Sequence, residues 1–484
     1  MFTPGERVHM VGIGGYGMSA VARVLIGMGV CVSGSDLHGS ALTQGLEDLG
    51  ARIYIGEHRP ENLKDAQAVI YSSAITGDNP ELKAARERHI PVYHRSEALA
   101  SLMNSRRGIA VAGAHGKTTV TSMVSWILQR AGLDPTVLIG GELAELNHGA
   151  KYGQGAWLVA EADESDGSFL RYRPEVAVVT NIEADHLENY GGNVQRLVET
   201  FERFLHNVRP GGAAVLCQDD PELARLSPQL PVPAICYSLK DPTCAWYATE
   251  IRQNQRQLSF SLFHEGRLQG RVSVPVPGVH NVANSLAALA AADRAGVGLA
   301  EAIRHLADFH NAKRRFQVLT EAGGITVVDD YAHHPTEVQA TLAAARQGWP
   351  RRRLVAVFQP HRYARTHFLW DQFLQAFDQP DLLVLTDIYA PPPDRPIPGV
   401  SGAALADALR RRRGKAGVVF VPTPAAALDF LKAQARPGDL ILVMGAGDIS
   451  QVAHDLAQSL QEQQAAASAA SAAPRVRLEA SGRA

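Results

Sequence analysis

Three α/β domains are what this sequence predicts, on three observations. Its 484 residues exceed a single ordinary core at about 150 residues per domain. Short apolar runs of strand length alternate with amphipathic stretches of helical period. Those runs end, one after another, in glycine loops or polar clusters, as strands of a parallel sheet do at their ligand-facing ends.

The first domain is expected over residues 1–105. Arg7 to Val11 reads as a strand, Gly12, Gly14, Gly15 and Gly17 as a turn, and Met18 to Met28 as a helix. Val30 to Gly34 is the next strand, followed by Asp36. A carboxylate about 20 residues beyond such a glycine turn marks a Rossmann-like, dinucleotide-binding pattern, in which the acid takes a ribose hydroxyl. Taken alone, the pattern admits a nicotinamide or flavin site. The alternation continues with a strand at Ala68 to Tyr71 and a helix at Asn79 to Arg88.

The second domain, 106–314, holds the most informative stretch. Ile109 to Ala112 runs into Gly113, Ala114, His115, Gly116, Lys117, Thr118 and Thr119, and a helix follows. Its apolar face is Val120, Met123, Val124, Ile127, Leu128 and Ala131, and Gly132 closes it. Strand, glycine loop and helix together aim backbone amides at an anion. Lys117 then reaches outer phosphates, and Thr118 or Thr119 ligands magnesium. This is a P-loop ATPase pattern in its shorter form, with Val111 where the longer spacing wants glycine. Two more strands, Ala156 to Ala160 and Val176 to Thr180, end in polar clusters that belong beside the loop. Glu161 and His186 offer an oxygen and a nitrogen to a divalent cation or an attacking group, whereas the neighbouring acids, through Asp166, read equally well as solvated loop charges. His280, Asn281 and Asn284 open an alanine-rich helix, for which Asn281 is a plain candidate cap.

The third domain, 315–464, is Rossmann-like again. Ile325 to Val328 leads to Asp329, Asp330, Tyr331, His333 and His334; Leu354 to Phe358 leads to His361, Arg362 and Arg365; Leu440 to Met444 leads to Gly445, Gly447 and Asp448. Three polar endings on one sheet edge make a face. The adjacent histidines lack a second ligand spacing, which argues against zinc. Arginine forks between a strand end and a helix start suit a carboxylate or phosphate. Residues 465–484 are Ala/Ser-rich and expected to be disordered.

Composition narrows the function. Lys plus Arg total 47 against 49 for Asp plus Glu, so no global field recruits nucleic acid or an acidic membrane. The four cysteines, Cys31, Cys217, Cys236 and Cys244, form no paired framework, which suits a reducing compartment. No long apolar run marks a membrane span or leader. A cytoplasmic protein with a small-molecule substrate is the expectation.

Assembled in order, the segments resemble the Mur ligase family over about residues 7 to 455. The series is Gly12-Ile-Gly-Gly-Tyr-Gly-Met-Ser19, Ser33-Gly-Ser-Asp36, the loop at Gly113, Glu161-Ala-Asp-Glu-Ser-Asp-Gly-Ser-Phe169 and Thr180-Asn-Ile-Glu-Ala-Asp-His186. It continues with His280-Asn281 and Asn284, Arg314-Arg315-Phe316, Asp329-Asp-Tyr-Ala-His-His-Pro-Thr-Glu337, Phe358-Gln-Pro-His-Arg-Tyr363 and Gly445-Ala-Gly-Asp448.

The resemblance implies an ATP-dependent amide ligation of peptidoglycan synthesis, in which L-alanine joins the lactyl carboxylate of UDP-N-acetylmuramate through an acyl phosphate. The first glycine turn then holds a UDP-sugar, through Gly14, Gly15, Asp36 and Ser73, and no nicotinamide. Lys117 neutralises the outer phosphates, and Thr118, Glu161 and His186 hold Mg2+. His280, Asn281, Asn284, Arg314 and Asp330 complete the ATP site, while Tyr331, His361, Arg362 and Arg365 take the amino acid. His186 and His333 are the candidate bases, since an imidazole titrates near working pH. A monomer or homodimer is implied, with an open and a closed form. Three positions depart from the family pattern: Ala114 for threonine, Asn311-Ala312 for Gly-Val, and the run to Asp394 for Tyr-Ala-Gly-Glu. Within the family, the peptide-recycling ligase is the rival reading. Outside it stand a nicotinamide oxidoreductase and a nucleotide-switched binding protein.

Overall fold

The computed structural model describes residues 2–141, 149–165, 167–391, 394–413 and 417–472. They form two compact units, Met1–Lys313 and Arg314–Ala484, and three sheets. The first sheet is wholly parallel, with β1 (Arg7–Val11), β2 (Cys31–Asp36), β3 (Arg52–Ile55), β4 (Ala68–Tyr71) and β5 (Val92–His94) in the order β3-β2-β1-β4-β5. The order reverses at β1, the place where doubly wound sheets open a crevice. The helix after β1 spans Tyr16–Gly27, and Asp36 is the last residue of β2, where the sequence reading had set it beyond the strand.

The second sheet has ten strands: β6 (Arg107–Ala112), β7 (Thr136–Leu138), β8 (Ala150–Lys151), β9 (Trp157–Glu161), β10 (Val176–Val179), β11 (Ala213–Cys217), β12 (Ala234–Ser238), β13 (Trp246–Asn254), β14 (Gln257–His264) and β15 (Arg267–Val274). β6 lies between β10 and β9 and runs parallel to both. Every residue of β6 after Arg107 is buried, as expected of a strand covered on both faces. The antiparallel β13–β15 ribbon was not foreseen; its alternating burial, clear in β14, is that of a sheet with one wet face.

The third sheet, β16 (Gln317–Ala322), β17 (Ile325–Asp330), β18 (Arg353–Phe358), β19 (Leu382–Leu385), β20 (Val418–Phe420) and β21 (Asp439–Met444), has the order β16-β17-β21-β18-β19-β20. Only the β16–β17 pair is antiparallel. Both faces are covered: Phe358 packs with Phe373 and Phe377 on one side, and Val357 with Ile441 and Leu456 on the other. Asp330 and Phe358 both pair in register with Met444, so the three polar strand endings stand level on one edge.

One expectation is corrected here. The chain was expected to lose order from residue 465, yet the last helix runs Ser450–Ala472. Alanine is the best helix former, and Gln461 and Gln464 tie the helix to Thr320 and to the Gly323 amide. Residues 473–484 of the expected tail lie outside the described residues. No helix among the described residues is long and apolar enough to cross a membrane.

Candidate active site

β6 opens into Gly113–Gly116, and the helix Lys117–Arg130 starts from that loop. Two glycines permit the turn. Gly113 has φ +127°, and a side chain there would strike the Thr180 hydroxyl; Gly116 has φ +85°, and a Cβ would stand 2.7 Å from Asn284 Oδ1. Gly116 caps the helix with no side-chain bond, so the first-turn amides remain available to an anion. The end of β10 braces the loop. The His115 amide donates to Asn181 Oδ1 at 2.9 Å, and Thr180 Oγ1 and Asn181 Nδ2 donate to the His115 carbonyl at 2.5 and 3.0 Å. The His115 imidazole meets Glu183 at 2.8 Å. Ala114, one of the departures, contributes only backbone to these contacts.

Lys117 folds back over the loop. Its Nζ donates to the Gly113 carbonyl at 2.5 Å and to both Glu164 oxygens at 2.8 and 2.9 Å. Burial pulls the ammonium pKa down, but Glu164, Asp163 and Glu161 outweigh it and hold it above its ordinary value. Burial likewise pushes the Asp163 carboxyl up, and the Lys117 charge, Ser165 and His186 bring it below its ordinary value. Glu164 was left among the undecided acids of the sequence. Ala162 and Glu164 are both buried, two residues apart beyond the end of β9. Asp166 lies outside the described residues.

Glu161 pairs in register with Val111, and its Oε1 accepts the Gly140 amide at 2.9 Å. His186 adopts a left-handed backbone, φ +55°, with its amide on Asp185 Oδ1 at 2.9 Å. Buried Thr118, Glu161 and the acids around Lys117 are hard oxygen donors that fit Mg2+, to which His186 adds one nitrogen. Asn281 does not cap its helix: Val279 is the N-cap, and Asn281 Nδ2 donates to the Pro277 carbonyl at 2.6 Å. Asn284 donates to Asn281 at 2.9 Å, which aligns the Asn284 carbonyl with Gly116. His280, at the start of the same helix, is exposed.

At the first glycine turn, the Gly14 amide donates to Asp36 Oδ2 at 2.8 Å, and Gly15 caps the helix Tyr16–Gly27 without a side-chain bond. Ser73 Oγ is 2.9 Å from His94 Nε2. Arg95, which the sequence reading passed over, lies against the turn: a Cβ on Gly17 would be 2.7 Å from its Nη1.

In the second unit Arg314 and Asp330 take different partners. Arg314 Nε lies 3.4 Å from Asp329 Oδ2, and its guanidinium stacks 4.9 Å from the Tyr331 ring. Asp330 instead accepts the Phe316 and Ala332 amides, both at 2.7 Å, and burial pushes its pKa up to about 6. His333 Nδ1 is 2.9 Å from the Tyr331 carbonyl and 3.3 Å from Glu337, and its ring lies 5.8 Å from that of His361. His334 caps the helix Pro335–Gly348. Arg365 Nη1 donates to His361 Nδ1 at 3.2 Å. Among the described residues Arg362 Nε is buried without a hydrogen-bond partner, a spare donor suited to a carboxylate. Asp394 accepts the Tyr363 amide at 2.7 Å and so steadies the start of that helix; Pro392 and Pro393 lie outside the described residues.

These features, a Lys-bearing glycine loop between acidic strand ends and a second nucleotide-type turn before it, are those of a ligase built on three family domains. Residues 7–107 match the Mur ligase family, catalytic domain; 111–292 the Mur ligase middle domain; and 314–447 the Mur ligase, glutamate ligase domain. The chain belongs to the Mur ligase family. A UDP-N-acetylmuramate--L-alanine ligase of Symbiobacterium thermophilum is 50% identical over 97% of this chain and 98% of its own. One of Pelobacter propionicus is 46% identical over 94% and 98%. Among solved structures, the UDP-N-acetylmuramate-alanine ligase of Thermotoga maritima matches with TM-score 0.80 at 29% identity, over 94% of this chain and 99% of that one. A murein peptide ligase of Psychrobacter arcticus matches with TM-score 0.68 at 25% identity, over 94% and 99%.

Proposed function

We propose that this chain is an ATP-dependent ligase of peptidoglycan synthesis that joins L-alanine to the lactyl carboxylate of UDP-N-acetylmuramate, releasing ADP and phosphate in the cytoplasm. The observation that carries the reading is Lys117, kept charged by buried Glu164 and the neighbouring acids at the mouth of an uncapped helix, in a chain 50% identical to an alanine ligase along nearly its whole length. The smaller likeness to the murein peptide ligase, 25% against 29% identity at lower TM-score, favours the free amino acid over a peptide.

Joining a carboxylate to an amine in water requires an activated acyl group. A lactyl oxygen attacks the γ-phosphorus of ATP, the bond to the β-phosphate oxygen breaks, and ADP departs. The neutral alanine amine attacks the acyl carbon, phosphate leaves, and a base takes the surplus proton. This chain contributes charge and position. Gly113 to Thr119 cradle the triphosphate, and Lys117 leaves Glu164 for its outer oxygens. His280, Asn281, Asn284 and Arg314 hold the rest of the nucleotide, with Asp330 as the anchor of the Arg314 segment. Gly14, Gly15, Asp36 and Ser73 hold the UDP-sugar. Tyr331, His361, Arg362 and Arg365 receive alanine, its carboxylate on the arginine forks. His186 and His333 are the two candidate imidazoles for that base. Mg2+, held by Thr118, Glu161 and His186, supplies positive charge at the phosphate oxygens when bound. The three working modules are 1–105, 106–314 and 315–464. The test is phosphate release on UDP-N-acetylmuramate with a panel of amino acids and ATP; alanine is expected to lead. If no amino acid yields ADP and an amide product, the reading fails.

A further inference from the structure

The ligand-facing edge of the third sheet carries one more aromatic ring than the amino-acid site described above. Tyr389 follows β19, and its backbone is stitched to the β18 ending: the Arg362 amide donates to the Tyr389 carbonyl and the Tyr389 amide to the Pro360 carbonyl, both at 2.8 Å. Its ring lies nearly parallel to the His361 imidazole, centroids 5.7 Å apart at 13°. Gly447 also stands against it, where a Cβ would come within 2.5 Å of Tyr389 Cγ and 2.8 Å of Cδ2. The Gly447 loop is firm, because Gln359 donates to Asp448 at 2.8 Å and accepts the Ile449 amide at 3.2 Å. The tyrosine thus meets both a pinned glycine loop and the histidine whose Nδ1 accepts a bond from Arg365. Among the described residues its hydroxyl has no hydrogen bond, so the ring face alone makes these contacts.

We propose that Tyr389 is a positioning residue of the amino-acid site: its ring, backed by Gly447, sets the plane of His361 and so the aim of the Arg365 guanidinium. A planar fork binds a carboxylate well in one orientation only. Without the ring beside it, the imidazole loses one of the contacts that fix its plane, and the fork it meets shifts with it. The inference rests on the proposed reading of Arg365 as the alanine-carboxylate ligand, and the test separates the two.

Steady-state constants for alanine, ATP and UDP-N-acetylmuramate are measured on the full chain and on Arg365→Ala, Tyr389→Leu, Tyr389→Phe and Gly447→Ala. Tyr389→Leu and Gly447→Ala, which remove the ring and crowd it respectively, are each expected to raise KM for alanine about tenfold, roughly the loss of one charged hydrogen bond. KM for ATP and for the sugar nucleotide stays within about twofold, a split that general loosening of the domain does not produce. Tyr389→Phe keeps the ring and retains the parent constants. If Arg365→Ala leaves the alanine KM unchanged, the reading of the site is wrong. If Arg365→Ala raises it but Tyr389→Leu and Gly447→Ala do not, or if Tyr389→Phe is as impaired as Tyr389→Leu, the positioning role is overturned and the site stands. Should Tyr389→Leu not fold, Gly447→Ala against Tyr389→Phe decides.

Discussion

Two glycine turns of the first unit follow the same plan and carry charge differently. Each succeeds a buried parallel strand, β1 or β6, and each opens a helix capped by glycine without a side-chain bond, Gly15 or Gly116. The backbone therefore presents a helix N-terminus to an anion in both. At the first turn an acid closes the loop, Asp36 accepting the Gly14 amide, and Arg95, far along the chain, lies against Gly17. At the second, Lys117 belongs to the loop itself and sits among Glu161, Asp163 and Glu164. The first arrangement suits holding a diphosphate unchanged; the second suits moving a phosphoryl group, where charge must be delivered and withdrawn. Backbone geometry alone thus does not distinguish a holding site from a reacting one.

The contrast can be broken most sharply at Lys117. Lys117→Ala is expected to lower phosphate release about 1,000-fold, the scale of losing a principal charge stabiliser, while calorimetric binding of the sugar nucleotide is unchanged. A variant with normal turnover would remove the distinction between the loops. Next in size, Glu164→Gln leaves the buried ammonium without its counter-charge, and kcat should fall about thirtyfold. Parent-like turnover there would mean that the pair at 2.8 Å does not prepare Lys117. At the holding turn, Asp36→Ala should raise KM for the sugar nucleotide about tenfold and leave KM for ATP alone. Equal effects on both substrates would show the turns to be one site.

The smallest effect on turnover is expected behind the first turn. Buried Glu81 receives bonds from Ser35 Oγ at 2.6 Å and Asn62 Nδ2 at 2.6 Å, and lies 3.3 Å from His9 Nε2. Burial alone would raise its pKa, but His9, Ser35 and Asn62 bring it down to about 2, from an ordinary 4.5. A depressed carboxyl contributes stability that is fully present above its unfolded pKa and is lost as pH falls through the folded one. Glu81→Gln should therefore unfold at lower urea than the parent at neutral pH, by on the order of 3 kcal/mol, with the gap closing as pH falls from about 5 toward about 2. A gap constant across that range would assign the cost to shape and not to charge. Turnover at neutral pH stays within about twofold, since Glu81 touches neither loop's amides.

The elements themselves were legible wherever a local pattern sufficed. β1 and β4 lie at the residues read from the sequence, and the Lys117 helix begins where the loop motif set it, because apolar period and glycine placement act over a few residues. The level edge of β17, β18 and β21 followed from polar residues at strand ends. Side-chain partners were less legible. Asn281, a candidate helix cap, binds the Pro277 carbonyl, and Arg314 lies on Asp329 while the neighbouring Asp330 takes backbone amides. Both choices are made between groups a few residues apart, where the outcome depends on ångström differences in packing.

By itself the sequence determined the alternation of strands and helices, the two glycine turns, the family and the residue types available for phosphate, carboxylate and cation. These follow from periodicity and from backbone freedom, both of which are local properties of the chain. Only the tertiary structure decided that Glu164 clamps Lys117, that Arg95 reaches the first turn, and that Tyr389 meets both Gly447 and His361. Those pairings join residues far apart in sequence, and their strength depends on burial and distance, which exist only once the sheets have formed.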